Sequence, residues 1–272
     1  MKSITRVLLI LAAIFIVLGG ILTAVGLFCG GSAYIGWDKK KHRFVTVENH
    51  DYVVSDKIKL EEIKNIEMNL DTENVYLIPT DSDDYYIEYA FYSYDKKLVP
   101  YSVDDGTLKV KYSDNIFVFK FGFDFDDDRD SYVKIYYPKD AEFESISAYL
   151  DMGSLEISEL NCKKLDVDLD AGNFEAEKCY FEDASIDLDV GSLEFDHVTI
   201  GNKLDADLDM GSAELRLVKD GKKSYGFDLD VDMGDIELRD ESKGSKYKSD
   251  GDNMITVNCD MGDIEIDVIV DK

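Results

Sequence analysis

The sequence has few of the residues, and none of the motifs, that most enzyme sites use. Its 272 residues include one Trp and three His, and the histidines lie far apart at His42, His50 and His197. It contains no GxSxG elbow, no phosphate-binding GxxxxGKS/T loop and no HExxH helix. The four Cys show no CxxC or other metal-ligand spacing, so each is predicted to be structural. We therefore predict that the protein is not an enzyme and holds no cofactor.

Basic residues and proline are also scarce. Lys and Arg total 30 against 58 Asp and Glu, and the formal net charge is -28. This balance excludes nucleic acid as a partner, because DNA and RNA are bound by neutralising phosphates with Lys and Arg. An acidic surface instead repels copies of itself and attracts cations or cationic partners. With only three Pro but 17 Tyr and 14 Phe, the composition favours a β-rich chain.

One long apolar run lies near the N-terminus. Between Val7 and Phe28, Thr23 is the only polar side chain. A helix of this length spans about 33 Å, which is enough for the hydrocarbon core of a bilayer. The alternative is a cleaved signal peptide, whose apolar region is usually about 7–15 residues long. We predict a membrane anchor and the start of a linker over 1–36, a juxtamembrane linker with the first strand over 37–59, and a β-solenoid domain over 60–272.

The charges around this run predict its orientation. Lys2 and Arg6 favour a cytoplasmic N-terminus, whereas Lys39–Lys41 and Arg43 beyond the span favour the opposite. Because Asp and Glu count little in this rule, an acidic domain is translocated readily. We predict a single-pass protein of the cell membrane with an extracytoplasmic C-terminal domain.

One eight-residue pattern recurs six times in the C-terminal half. It runs from "LDMGSLEI" at Leu150 to "CDMGDIEI" at Cys259, with Asp, Gly and Glu always in the same places. The glycines of the six copies are Gly153, Gly172, Gly191, Gly211, Gly234 and Gly262. A spacing near 20 residues, with short alternating runs, is typical of a solenoid in which each repeat is one coil. We predict an all-β fold, a parallel β-helix-like solenoid preceded by one transmembrane helix.

Each copy predicts a strand, a corner and a second strand. In "KLDVDLDAGNFEAE" from Lys164, apolar residues alternate with Asp up to Ala171, as in a strand with one buried face. Before the turn the apolar residues stand at odd-numbered positions, whereas after it they stand at even-numbered ones, Phe174 and Ala176. The alternation of buried and exposed residues therefore shifts by one position across Gly172-Asn173. Glycine permits the sharp corner that this shift requires. The Ser, Asn or Asp that follows can bond a nearby turn amide.

Stacked coils place equivalent residues about 4.8 Å apart in columns. If the copies stack in chain order, the inward columns are Leu150, Leu169, Leu188, Leu208, Val231 and Cys259 before the corner, and Leu155, Phe174, Leu193, Ala213, Ile236 and Ile264 after it. Cys179 shares a buried position with Leu160, Val198 and Val218. In this order the strand from Ile264 ends the stack and is an exposed edge, open to another chain unless it is shielded.

The earlier part of the domain carries one degenerate copy, "MNLDTENVYLI", in which Glu73 stands where the glycine should be. Four strand-like runs follow, beginning at Tyr85, Thr107, Asn115 and Ser131. Asp105-Gly106 is a hairpin turn signal. We expect wider or antiparallel coils here, continuous with the same stack. The segments 219–226 and 241–253 are predicted to be surface loops.

Carboxylates fill three outward columns of the predicted stack, two and four residues before each glycine and three residues after it. Aspartates of the first two columns are the candidate ligands for a divalent cation such as Ca²⁺, because oxygen-rich clusters suit this ion: Asp151, Asp170, Asp189, Asp209, Asp232, Asp168, Asp187, Asp207 and Asp230. The alternative is a solvated face that discourages aggregation. Neighbouring carboxylates repel by under ~1 kcal/mol in bulk water, so the columns need no ligand to exist.

Five segments together resemble one known family. They are "LEEIKNIEMNLDTENVYLIP" from Leu60, "VKIYYPKDAEFESIS" from Val133, "MGSLEIS" from Met152, "MGDIELR" from Met233 and "MGDIEID" from Met261. In this order, over about residues 60–270, they resemble the bacterial putative-adhesin family of membrane-anchored β-solenoid envelope proteins, a domain of unknown function. The resemblance implies an extracytoplasmic solenoid similar to proteins associated with envelope stress and adhesion. It supplies no catalytic residues.

The sequence therefore predicts a non-enzymatic cell-surface interaction or scaffold module. The acidic face is the expected contact with a protein or envelope partner, for which cationic chemistry fits best. A Ca²⁺-binding module is the first alternative. A polysaccharide-acting β-helix enzyme is the second; it needs a cleft with Arg, Lys or paired acids on long loops, whereas the long loops here are rich in Lys, Ser and Gly.

Overall fold

The computed structural model describes Phe15 and residues 18–20, 34–38, 42–46, 51–93, 99–112, 116–120, 130–219 and 221–269. The chain forms two compact units, Met1–His50 with Asp114–Asp128 and Asp51–Ser113 with Arg129–Lys272. Of the predicted span at 7–28, Phe15 and residues 18–20 are described and helical, and the rest lies outside the described residues. No helix within the described ranges is long and apolar enough to cross a membrane.

The described chain is almost entirely β-strand. The first eleven strands are β1 (Tyr34–Asp38), β2 (Arg43–Thr46), β3 (Asp51–Val54), β4 (Ile58–Leu60), β5 (Asn65–Leu70), β6 (Asn74–Thr80), β7 (Tyr85–Ser93), β8 (Tyr101–Asp104), β9 (Thr107–Tyr112), β10 (Ile116–Lys120) and β11 (Tyr132–Pro138). The others are β12 (Glu142–Met152), β13 (Leu155–Ser158), β14 (Asn161–Ala171), β15 (Phe174–Glu177), β16 (Tyr180–Val218), β17 (Tyr225–Met233), β18 (Ile236–Leu238), β19 (Glu241–Gly244), β20 (Lys246–Ser249), β21 (Asn253–Met261) and β22 (Ile264–Ile269).

The smaller unit contains a three-stranded antiparallel sheet in which β1 lies between β10 and β2. The run from Asn115 is therefore not part of the stack, and that prediction is wrong. Its β-branched and aromatic residues correctly indicate a strand, but such a run does not identify the neighbouring strand. β1 and β2 fall where the end of the anchor and the linker were expected. The predicted boundaries at residues 36 and 59 stay predictions.

The larger unit is a solenoid-like stack of parallel coils, which confirms the interpretation of the repeat. In β12, β14 and β16, Leu169 lies opposite Leu150 on one side and Leu188 on the other. The same register holds after the corner, where β15 lies between β13 and β16. These inward leucines are at most 2% exposed, so burial of one face stabilises each strand.

In each coil the alternation of buried and exposed residues is interrupted at three points. In the coil that begins with β14, Lys163 and Lys164 are both exposed, Gly172-Asn173 forms the predicted corner, and Glu177 and Lys178 are again both exposed. Between these points buried and exposed residues alternate. Each coil therefore has three short faces around the core, of which the sequence pattern revealed two.

The order of the last two coils differs from the chain order. Cys259 lies opposite Leu208 on one side and Val231 on the other, so the final repeat is inserted between its two predecessors. β22 is hydrogen-bonded to both β16 and β18. The prediction that the strand from Ile264 is an exposed edge is therefore wrong. All repeats have equivalent apolar columns, so local pattern alone does not distinguish the two orders.

The end of the stack is covered by a segment that was predicted to be a loop. β19 and β20 run back antiparallel along β18 and β17. Lys246 and Lys248 place their Nζ atoms 2.6 Å from carboxylate oxygens of Asp230 and Asp228. Short, lysine-bearing edge strands discourage pairing with other chains. Because β19 and β20 occupy this side, the final repeat can pair only on the inner side.

The earlier half of the unit continues the same stack, as expected. β5 and β6 lie beside β12 and β13, with Leu70 opposite Leu150 and Val75 opposite Leu155. β7 is antiparallel to β3, β4 and β11. β8 and β9 form the predicted hairpin, whose Asp105-Gly106 turn has two positive φ angles, 47° and 71°.

Cys162, Cys179 and Cys259 are free and at most 3% exposed, as structural cysteines should be. Burial raises the pKa of the Cys162 and Cys179 thiols to about 12, so both are neutral at physiological pH. Cys162 lies between Phe143 and Phe181 in a buried column. These residues therefore serve as small apolar side chains.

Candidate functional site

Glycine at the corner allows adjacent coils to approach closely. A Cβ placed on Gly191 would lie 1.6 Å from the carbonyl oxygen of Gly172, and one on Gly211 would lie 1.6 Å from that of Gly191. Gly262 has the same relation to Gly211, and Gly234 to Gly262. The corner glycines therefore form one continuous column. This contact holds the outward carboxylates of successive coils in register.

The residue after the corner glycine joins neighbouring coils by a hydrogen bond. The backbone N–H of Ser192 donates to Asn173 Oδ1 over 3.1 Å. In the same way, the N–H of Asp235 donates to Asp263 Oδ1 over 2.9 Å. The prediction that these side chains bond turn amides is confirmed for Asn173 and Asp263, and the amide belongs to the adjacent coil.

All nine candidate aspartates lie on one surface, the outward side of β12, β14, β16, β21 and β17, here called the aspartate face. In stacking order, the column two residues before the glycines is Asp151, Asp170, Asp189, Asp209, Asp260 and Asp232. The column four residues before them is Tyr149, Asp168, Asp187, Asp207, Asn258 and Asp230. The first column is unbroken, whereas Asn258 separates Asp230 from the other aspartates of the second.

Partial burial and neighbouring charges raise the pKa of two aspartates on this face. Partial burial raises the pKa of Asp187, and the charges of Asp168 and Asp207 on either side raise it further. The pKa of Asp168 is raised by partial burial and then by its neighbours Asp170 and Asp189. Two charges about 4.8 Å apart repel by about 3–4 kcal/mol at an effective dielectric constant near 20. The face therefore stores repulsion that a bound cation would relieve.

The aspartate face does not enclose a metal site. Over the described ranges, no group of three or more His, Cys, Asp or Glu side chains is arranged to hold a metal ion. The side chains project from flat strands, whereas Ca²⁺ takes six to eight oxygens that surround it. The Ca²⁺ alternative stays a prediction, with no enclosing geometry to support it.

A second acidic surface lies on the other side of the corner. In stacking order this glutamate column is Glu156, Glu175, Glu194, Glu214, Glu265 and Glu237. Arg216 lies at its margin, with its guanidinium 2.8 Å from Glu214 and 3.8 Å from Asp196. A shallow depression of about 260 Å³ runs along its first four members, from Glu156 to Glu214. Partial burial, followed by repulsion from Glu214 and Glu237, raises the pKa of Glu265.

The glutamate column ends at a tyrosine-rich surface that the sequence reading missed. Tyr76 lies opposite Glu156 and Lys134. The hydroxyls of Tyr132 and Tyr136 both donate to Glu88, over 2.9 and 3.1 Å. Their alternation in "SYVKIYYP" predicted a strand, but nothing local predicted that their outward side chains would share one carboxylate on β7.

A larger depression, of about 860 Å³, lies among residues 59–64, 83–85 and 138–144. Its lining mixes lysines and acids, including the Lys59–Asp84 ion pair at 2.7 Å. The acidic residues Glu61, Glu62 and Asp140 are exposed to solvent. The depression lies on short turns and not on the long loops that the polysaccharide-enzyme alternative requires.

The sequence reading also missed a second recurrent corner. Glu159, Lys178 and His197 occupy equivalent places in three coils and have φ angles of 47°, 54° and 56°. His197 is exposed within β16 and lies at this corner, with Nδ1 2.9 Å from Asp196 Oδ1. The available signal was the break in alternation at Glu177-Lys178, where two charged residues occur together.

Comparison with known proteins agrees with the fold. The family model Toastrack DUF4097 matches residues 63–198 and 142–267. The chain is similar to a solved putative cell adhesion protein from Clostridium sporogenes, at 13% identity over 82% of this chain and 100% of that one, with a TM-score of 0.43. It is similar to a putative adhesin from Bacteroides fragilis, at 13% identity over 81% and 98%, with a TM-score of 0.42.

A putative lipid binding protein from Parabacteroides distasonis is similar at 12% identity over 82% of this chain and 98% of that one, with a TM-score of 0.26. No curated protein matches the chain. The family model covers most of the sequence, which confirms the predicted resemblance to this family of unknown function. The chain belongs to the Toastrack DUF4097 family.

Proposed function

We propose that the protein is a non-enzymatic surface module, anchored in the cell membrane by the apolar run at 7–28, that binds a cationic protein or envelope component outside the cytoplasm. The observation that carries this proposal is the unbroken column of six aspartates before the corner glycines, all exposed on adjacent coils. The glutamate column across the corner adds a second row of carboxylates.

The chain supplies few countercharges to this surface. Three lysines pair with aspartates of these strands: Lys203 with Asp205, Lys246 with Asp230 and Lys248 with Asp228. Considering only the described residues, none of the six aspartates in the unbroken column forms an ion pair. The face is therefore available to an external cation, and its stored repulsion favours one.

A multivalent partner suits this geometry better than a single ion does. Each exposed ion pair contributes about 0.2–1 kcal/mol, so one contact is weak and several together give useful affinity. Binding of this kind is fast and decreases steeply as salt screens the charges. The apolar N-terminal run and the resemblance to envelope proteins support an extracytoplasmic location.

The test is binding of an 18-residue oligolysine to the full chain in phosphatidylcholine nanodiscs, measured by fluorescence anisotropy at several salt concentrations. We expect the triple variant Asp170→Asn, Asp189→Asn, Asp209→Asn to weaken binding by at least about tenfold. The matched control removes three exposed acids elsewhere: Glu61→Gln, Glu62→Gln, Asp140→Asn. Equal losses in the two variants would reduce the proposal to a net-charge effect and refute it.

Location is tested separately by protease treatment of intact cells that carry a C-terminal epitope tag. The proposal expects loss of the tag without lysis. Survival of the tag until the cells are lysed would place the domain in the cytoplasm and contradict the proposed orientation.

A further inference from the structure

An apolar residue stands directly before every corner glycine, and its side chain lies outside the core. In stacking order this column, here called the apolar ridge, is Met152, Ala171, Val190, Met210, Met261 and Met233. Its five larger side chains are 40% to 62% exposed. Its members occupy successive coils, so the ridge is one continuous surface.

The fold does not require apolar side chains in this column. Single exposed apolar residues are ordinary, but an exposed row that extends along a whole stack is not. The preceding residue on the same strands is Asp in all six coils, which shows that a polar side chain is tolerated beside the corner. Four of the seven methionines of the chain lie on the ridge. Methionine is flexible and polarisable, and is common on surfaces that bind helices of varied sequence.

The ridge runs between two rows of carboxylates. The unbroken aspartate column lies on one side, since each of its members directly precedes a ridge residue. The glutamate column lies on the other side, beyond the glycines and the residues that follow them. The complementary ligand surface is an apolar stripe with Lys or Arg along both margins, which is the surface of a basic amphipathic helix.

We propose that the apolar ridge and its two carboxylate rows bind a cationic amphipathic α-helix of a partner protein. The inference rests on the proposed function and specifies its partner. Six coils at about 4.8 Å give a ridge about 24 Å long, which about 16 helical residues cover. The pitch of an α-helix, about 5.4 Å, is close to the spacing of about 4.8 Å between coils. One apolar side chain per helical turn can therefore contact one ridge residue per coil.

The other occupants fit less well. An extended strand presents a side chain to one face about every 6.6–6.8 Å, whereas the coils are about 4.8 Å apart. Its side chains are therefore out of register with the ridge after two contacts. A second copy of this chain would bring carboxylate rows against carboxylate rows. A bilayer that contains anionic lipids is negative, so the aspartate and glutamate rows oppose its approach.

The first experiment observes the ridge directly. The full chain, labelled with ¹³C-methyl methionine, is placed in phosphatidylcholine nanodiscs and titrated with an 18-residue Leu/Lys peptide whose leucines recur at helical spacing. A scrambled peptide of the same composition and empty nanodiscs are the controls. We expect the methyl signals of Met152, Met210, Met233 and Met261 to shift on binding. The signal of Met68, which is 1% exposed, should stay unchanged.

The second experiment tests the contribution of the ridge to affinity. The double variant Met210→Ser, Met261→Ser changes adjacent coils and should weaken binding of the helical peptide by at least about tenfold, because two apolar contacts are lost. Binding of the 18-residue oligolysine should stay within about twofold. The control Val54→Ser, Val99→Ser removes exposed apolar side chains away from the ridge and should change neither affinity. Melting temperatures check that all variants are folded.

The outcomes separate this inference from the proposed function. Equal binding of helical and scrambled peptides, unmoved ridge signals or an unaffected double variant would overturn the helix site, while oligolysine binding would still support a cationic partner. Peptide that binds empty nanodiscs as well as loaded ones would indicate partition into lipid and would also overturn the inference. Failure of the wild-type chain to bind oligolysine would refute both.

Discussion

Substitution of a corner glycine tests the contact that aligns the coils. In Gly191→Ala the new Cβ would lie 1.6 Å from the carbonyl oxygen of Gly172, far inside van der Waals contact. Because the clashing atom belongs to the backbone, it can be relieved only by separating two coils. The φ angle of Gly191, 155°, adds strain of its own.

The cost can be worked out from these contacts. Positive-φ strain contributes about 1–2 kcal/mol, and two or three distorted hydrogen bonds between coils contribute about 0.5–1.5 kcal/mol each. The sum, about 2–6.5 kcal/mol, corresponds to a melting temperature roughly 4–26 °C lower for a domain of this size. Gly106→Ala is the matched control, because its φ is 71° but a Cβ there meets no atom within 4 Å.

The assay is thermal unfolding followed by circular dichroism, with the surface change Glu194→Gln as a second reference that should stay within about ±0.5 kcal/mol. Gly106→Ala should lose only the strain contribution, about 1–2 kcal/mol. If Gly191→Ala and Gly106→Ala are destabilised equally, the close approach of coils contributes nothing, and the column of glycines does not align the carboxylates.

Three other predictions follow from buried or exposed side chains. Burial raises the pKa of Glu73 to about 7, so unfolding releases a proton between about pH 4.5 and 7, and stability should fall by about 3 kcal/mol as pH rises through that window. Lys246→Glu with Lys248→Glu reverses the charges that cover the end of the stack, and should lower the melting temperature slightly and speed amide exchange in β20. Mild peroxide should oxidise exposed Met210 well before buried Met68, as peptide mass spectrometry would reveal.

Each of these has a control. Glu73→Gln removes the titrating group and should flatten the pH dependence; an unchanged slope would assign it to other acids. Lys222→Glu changes an exposed lysine in the turn before β17, outside the two covering strands, and an equal loss there would indicate a general charge effect. Oxidation of Met68 at the rate of Met210 would contradict the burial assignments.

The periodicity of the sequence predicted most of the larger unit. Alternation around Leu169 identified the buried face, and its shift at Gly172-Asn173 located the corner, because side chains of a strand alternate between its two faces. The same reasoning placed the nine aspartates on one face. Those inferences depend only on residues that are close together in the chain, and a sequence repeat determines this local geometry.

Other features depended on the neighbours that the fold supplies. The second corner at Lys178 needs a positive φ without glycine, so its residues carry no distinctive signature. β10 is a run of strand-forming residues like the others before the repeats, yet it pairs with β1. The apolar ridge was overlooked because, at the corner, two successive residues such as Asp151 and Met152 are both exposed, which a rule of strict alternation does not allow.

The sequence by itself determined the unit of the architecture: a coil of about 20 residues, its buried columns, its glycine corner and its rows of carboxylates. The tertiary structure alone decided the order of the coils, with Cys259 between Leu208 and Val231. The physical reason is that equivalent apolar columns stack equally well in either order. In the structure β19 and β20 cover the outer edge of β17 and β18, and the final repeat lies on their inner side.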